Sequence, residues 1–100
     1  MSAREPAPAS RSVLLPPRVD IDTAAGVEVV LREAICGGGV VDWDCADVRF
    51  VDSAGAKMLF QTADLATARH CVVRIAGLRG GPMRVLTLLG VFDVCQRVEE

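Results

Sequence analysis

"RFVDSAGAKMLF", residues 49–60, decides how this chain is read. Its first half alternates apolar and polar side chains as a short strand does. An acidic turn follows, and Ala56, Leu59, Phe60, Ala63 and Ala66 then recur at helical spacing. A strand that runs so directly into a helix opens a βα unit. At the junction stands Ser53, between Asp52 and the small residues Ala54 and Gly55. A hydroxyl in that place can cap the helix, act as a nucleophile, or be modified by another protein.

Working outward, the helix is predicted from Ala54 to about Arg69, with Lys57, Gln61, Asp64 and Arg69 facing water. "CVVRIAG" reads as a buried strand and "RGG" as a turn. Pro82 in a first helical turn and Gly90 just past "MRVLTLL" bound a third helix, and "VFDVCQRVEE" closes with a strand at about Val94–Val98. On the N-terminal side, "VVDWDC" is a strand, and "ADVRFV" a short extended piece with Val48, Phe50 and Asp52 on one side. "TAAGVEVVLREAIC" is predicted as a helix capped by Asp22 or Thr23, with Val27, Val30, Leu31, Ala34 and Ile35 on its buried face. Its valines are poor helix formers, so burial must hold it helical. "CGGG" stops it, and because those glycines follow a helix and precede a strand they do not form a phosphate loop. Pro16 and Pro17 limit "SVLL" to a brief or edge strand. The order strand, helix, strand, helix, strand, helix, strand predicts an α/β domain: a mostly parallel sheet of four to five strands, right-handed crossovers and about three main helices.

One hundred residues suffice for one core. Residues 12–100 are expected to form it, behind a tail rich in Pro, Ala and Ser that is expected to be disordered up to about Arg11. Aromatic residues are only 4% of the chain, so the core must be mostly aliphatic. A formal net charge of -2 offers no basic stripe for nucleic acid. Cys36, Cys45, Cys71 and Cys95 contain no C-x-x-C pair and have only His70 as a companion, so no metal site is expected. Without a signal-peptide pattern or a run long enough to cross a membrane, the cysteines read as reduced thiols of a cytoplasmic protein with no direct membrane insertion.

A hydrolase triad of Ser53, Asp52 and His70 fails on two counts. Val51 stands where the nucleophile elbow G-x-S-x-G needs its first glycine. His70 falls at the far end of the helix that Ser53 begins, roughly 25 Å away at 1.5 Å per residue. Asp42 and Asp44 share a strand face and make at best a hard-cation site of low specificity, or simply a solvated strand end. "RGGPMR", with Arg79 or Arg84, could grip an anion, but a plain turn and Pro-started helix need the same residues. No catalytic residue and no cofactor are expected.

The strand followed by "DCADVRFVDSAG", a helix, "CVVRIAGL" and "GPMRVLTLLGVFDVCQRV" together resemble the STAS domain, the fold of bacterial anti-sigma factor antagonists and of sulfate transporter tails. The resemblance runs from about Val19 to Val98. In that family an aspartate precedes D-S-x-G at a spacing matched by Asp44 and Asp52. Leucines continue the helix after the motif, as in "AKMLF", and a leucine-leucine-glycine pattern ends the last helix, as in "TLLGV". Where the family carries a glycine, an acidic residue, an apolar residue and an aspartate before the first helix, this chain has "PRVD", with Asp20 matching the final aspartate but no glycine. Residues 1–18 look too short and proline-rich for the usual two leading strands, so an edge strand is expected to be lost or shortened.

The resemblance implies an anti-sigma factor antagonist that binds an anti-sigma factor serine kinase and is switched off by phosphorylation of Ser53, a serine phosphatase being a further candidate partner. Asp20, Asp52, Ser53, Ala54 and Gly55 are the implied partner-binding residues. The alternative within the same family is a non-phosphorylated interaction subunit of a lipid-transport ABC complex. Ser53 as a helix N-cap alone stays open beside both.

Overall fold

The computed structural model describes residues 10–35 and 39–98. Its strands are β1 (Ser10–Leu14), β2 (Arg18–Val19), β3 (Gly39–Asp44), β4 (Phe50–Val51), β5 (Cys71–Ala76) and β6 (Gln96–Arg97). Its helices are α1 (Ala24–Ala34), α2 (Ser53–Ala68) and α3 (Gly80–Leu88), with a 3-10 turn at Val91–Asp93. The main sheet is four-stranded, all parallel, in the order β1-β3-β5-β6, and β2 and β4 form a separate two-stranded parallel ribbon. This is the expected α/β fold at the lower strand number.

Alternation along the strands assigns the two faces of the sheet. Val41 and Trp43 of β3 and Cys71, Val73 and Ile75 of β5 are buried on the face that α1 and α2 cover. Leu31 of α1, Ile35 just past its end, and Ala56, Leu59, Ala63 and Ala66 of α2 meet them. Small alanines let α2 lie close to the sheet, and the lone tryptophan fills the middle of the aliphatic core. The Trp43 indole N–H has no hydrogen-bond partner among the described residues. On the opposite face Asp42 and Arg74, register neighbours on β3 and β5, form a two-pronged ion pair at 2.7 and 3.1 Å. Asp42 is thus held by a cation of its own chain, and Asp44 accepts a hydrogen bond from the Ala46 N–H at 3.0 Å. Leu14 and Val72 are exposed on the same side.

Several elements depart from expectation. β1 begins at Ser10, inside the segment expected to be disordered to Arg11; the rest of that segment lies outside the described residues. Both leading strands are present, the second only two residues long. β5 alternates, with Val72 exposed, because only one sheet face is covered. On α1, Val30 is 50% exposed although its spacing placed it with Leu31. The helix meets β1 and α2, and Val30 stands at the rim of that contact, lining a groove with Val27, Leu14 and Leu15. α1 ends at Ala34 with Ile35 extended, before the "CGGG" expected to stop it; Cys36–Gly38 of that stretch lie outside the described residues. Phe50 was expected beside Val48 on a buried side. Instead Val48 and Val51 are buried, and Phe50 lies at the surface under the Arg18 guanidinium, 4.6 Å from its ring centre. A two-residue β4 after the Cys45–Val48 turn is too short for alternation to fix its face. α3 starts at Gly80, so Pro82 is its third residue, still in the first turn where a missing N–H breaks no helical bond. Gly90, at φ 79°, ends it as expected. The last strand shrinks to Gln96–Arg97, because Val94 closes the 3-10 turn by donating its N–H to the Val91 carbonyl and Cys95 bends away from it.

Candidate functional site

β4 delivers the chain to α2 beyond the carboxyl end of β3, and the junction is built by Asp52. Its backbone is extended and its Oδ1 accepts a hydrogen bond from the Gly55 N–H at 2.7 Å. That is N-cap geometry, so the cap is Asp52 and not Ser53, which is the first helical residue. This corrects the cap-only reading of Ser53. The other carboxylate oxygen, Oδ2, accepts from the Ile21 N–H at 3.1 Å, and the Asp52 N–H donates to the Val19 carbonyl at 3.3 Å. One side chain therefore caps α2 and fastens it to the turn after β2.

Gly55 explains the last position of D-S-x-G. A Cβ there would stand 2.6 Å from the Val19 carbonyl carbon and closer still to its oxygen. The helix's first turn crosses the β2 backbone at a distance only glycine permits. Gly55 is buried and Ala54 half-buried, so of the Asp52–Gly55 loop it is Ser53 that is exposed. No side-chain hydrogen bond ties Ser53 to the described residues.

Asp20 lies in the neighbouring turn, 7% exposed. Its Oδ1 accepts from the Asp22 and Thr23 N–H groups at 3.0 and 3.1 Å, and its Oδ2 from Arg18 Nε at 3.1 Å. Burial pushes its pKa up, but the Arg18 hydrogen bond, the two backbone N–H groups and the Arg18 charge outweigh burial and hold the carboxyl below its ordinary value. The helix α1 was expected to be capped by the side chain of Asp22 or Thr23. Thr23 is the cap residue, but its hydroxyl accepts from the Asp20 N–H and donates to the Arg18 carbonyl, each at 3.0 Å, so Asp20 organises the turn. The structure places Asp20 next to the Asp52 loop through Ile21, with its own carboxylate directed inward.

Ser53 also lines a shallow, mostly apolar groove of about 340 Å³ with Lys57, Phe60 and Leu89. Leu88 and Ile21, 82% and 73% exposed, add apolar surface on the flanking α3 and β2 segments. Sequence reasoning placed Phe60 in the apolar stripe of the helix and Lys57 on its watery face, but did not group them with Ser53 and Leu89. Lys57 was legible as the helical neighbour of Ser53, whereas Leu89 enters only because α3 packs on α2. A larger cavity, about 490 Å³, lies at the other end of α2, among Thr67, His70, Cys71, Val73 and Cys95. Burial pushes the Cys95 thiol up to about 12, so it is a poor nucleophile, and the cavity shares no residue with the D-S-x-G loop. His70 sits there, a full helix length from Ser53, so a serine, aspartate and histidine are not brought together. Among the described residues no cluster of three His, Cys, Asp or Glu side chains could hold a metal ion, and no helix is long and apolar enough to cross a membrane.

A parallel α/β sheet thus carries an exposed serine that opens a helix directly behind its aspartate cap. The chain belongs to the STAS family: residues 15–100 match the STAS domain. No curated protein matches it.

Proposed function

We propose that this STAS domain is an anti-sigma factor antagonist, switched off when an anti-sigma factor serine kinase phosphorylates Ser53. The observation that supports this reading best is that Asp52 performs the capping, which leaves the Ser53 hydroxyl exposed with no structural task. In the reaction, Ser53 Oγ bonds to the γ-phosphorus of ATP as the bond to the β,γ-bridging oxygen breaks. ADP leaves, and the hydroxyl proton passes to a base on the kinase. The protein is the acceptor here, not the catalyst.

The phosphate adds about -1.5 to -2 charge beside the Asp52 carboxylate, on a surface otherwise apolar at Ile21, Leu88 and Leu89. A partner docked over Ser53 must then desolvate or repel that charge, and the complex opens. The Ser53 and Ala54 N–H groups at the start of α2 help solvate the phosphate, so the domain itself stays folded.

Capture of partners from the native host, identified by mass spectrometry, should return a serine kinase. That kinase with ATP should then add one phosphate to the wild type and none to Ser53→Ala. Recovery of a transport ATPase and permease instead, or an active kinase that binds the domain and leaves Ser53 unmodified, would overturn the reading.

A further inference from the structure

We propose that Lys57 is the residue that holds the phosphate on Ser53, an inference that rests on Ser53 being the phosphoacceptor. Ser53 and Lys57 are four residues apart on α2, so their Cβ atoms lie about 5–6 Å from each other on one face. Side chains on a helix lean toward its N-terminus, which carries the lysine stem over the turn that begins with Ser53. The two residues line the same groove, and Lys57 is the cation among its lining residues, Phe60 and Leu89 being apolar. Among the described residues Lys57 is exposed and engaged in no ion pair, so its ammonium has no competing anion to leave.

The other charges around the site set the sign of the effect. Asp52, one residue before Ser53, opposes a second negative charge on the phosphate. Its carboxylate is already held by two N–H groups and cannot turn away. Asp20 and Arg18 of the adjacent turn are paired with each other and largely cancel. From the α3 side the groove is lined by Leu89, the residue just past that helix, which carries no charge. Beside the N–H groups at the start of α2, Lys57 is therefore the side chain that favours the dianion, and it draws the phosphate along the groove wall rather than out into solvent. The ion pair then occupies the groove that a partner's apolar side chain would otherwise enter.

The test uses the whole chain with phosphoserine installed at position 53 during translation, so that no kinase is needed. Phosphorus NMR across pH 4–8 reads the second phosphate pKa directly. It should be lower in the Lys57-containing protein than in Lys57→Gln by about 0.2–0.4 units at low salt. Lys57→Arg should restore the lower value, and 1 M salt should remove most of the difference. Unmodified wild type and Lys57→Gln should unfold at the same temperature, which separates a phosphate contact from a structural role. Identical titrations in the Lys and Gln proteins would overturn the assignment to Lys57, whatever the kinase assay shows. Failure of the kinase assay with the shift intact would instead overturn only the phosphoacceptor reading.

Discussion

Gly55→Ala and Gly26→Ala are the same chemical change in two helices and should have opposite signs. At Gly26, on exposed α1 surface, an added Cβ has no neighbouring atom within 4 Å. Replacing glycine by alanine there should stabilise the domain by about 0.5–1 kcal/mol, through helix propensity and a less flexible unfolded chain. At Gly55 the added carbon would sit 2.6 Å from the Val19 carbonyl carbon and 3.1 Å from Val19 Cγ1. The nearest obstacle is the Val19 backbone carbonyl, so no rotamer change relieves it. α2 must back away from β2 by roughly 1 Å, an overpacking strain of about 1–3 kcal/mol. The shift also stretches the Asp52 N–H to Val19 carbonyl bond, already 3.3 Å, and the Ile21 N–H to Asp52 Oδ2 bond, for about 1 kcal/mol more. Set against a propensity gain of up to about 1 kcal/mol, the net loss is about 2–3 kcal/mol. For a domain of this size that lowers the melting temperature by about 10–20 °C. Circular dichroism melts and urea titrations of the two variants beside wild type measure it. A Gly55→Ala protein within about 0.5 kcal/mol of wild type would refute the account of why D-S-x-G ends in glycine.

Because Asp52 is the cap, Asp52→Ala should cost about 1–2 kcal/mol of unfolding free energy while Ser53→Ala stays within about 0.5 kcal/mol of wild type; the reverse order in urea titrations would return the capping role to Ser53. Asp20 has a depressed carboxyl pKa in the folded state, so its stabilisation is complete above the unfolded value of about 4 and fades as the pH falls through the folded one. Urea midpoints measured from pH 7 to pH 3 should therefore fall more steeply for wild type than for Asp20→Asn, and parallel profiles would sink the claim that Asp20 organises the turn as a carboxylate.

What the sequence revealed depended on whether a local pattern or a tertiary approach decided the outcome. α2 was legible almost to the residue: of the stripe Ala56, Leu59, Phe60, Ala63 and Ala66 the structure buries all but Phe60, which is half-buried and lines the groove beside Ser53. The parallel sheet followed from strands alternating with helices. Phe50 was not legible, since a two-residue strand offers no period and its face was settled by Arg18 arriving from β2. The cap could not be assigned either, because Asp52 and Ser53 are adjacent and both are good capping residues. Asp52 prevails through contacts 31 residues away in sequence, where Ile21 donates to the same carboxylate. Ser53 was named from its motif, but the groove beside it required the docking of α3 on α2, which brings up Leu89.

Within residues 52–55 the tasks are separated, and that separation bears on how a switch can work. Asp52 holds the helix start and the β2 turn, Gly55 allows the helix to cross β2, and Ser53 is bound to neither. A phosphate on Ser53 thus meets the fold mainly through its charge. Taking it about 6 Å from the Asp52 carboxylate, two negative charges cost roughly 1.4 kcal/mol in water and less after salt screening. The same pair under a docked partner, at an effective dielectric near 20, costs roughly 5–6 kcal/mol. The difference, about 4 kcal/mol, is on the order of a thousandfold in affinity, against a stability loss that a domain of this size tolerates. Had Ser53 been the cap, phosphorylation would have strained helix and interface together, and the two effects could not have been uncoupled.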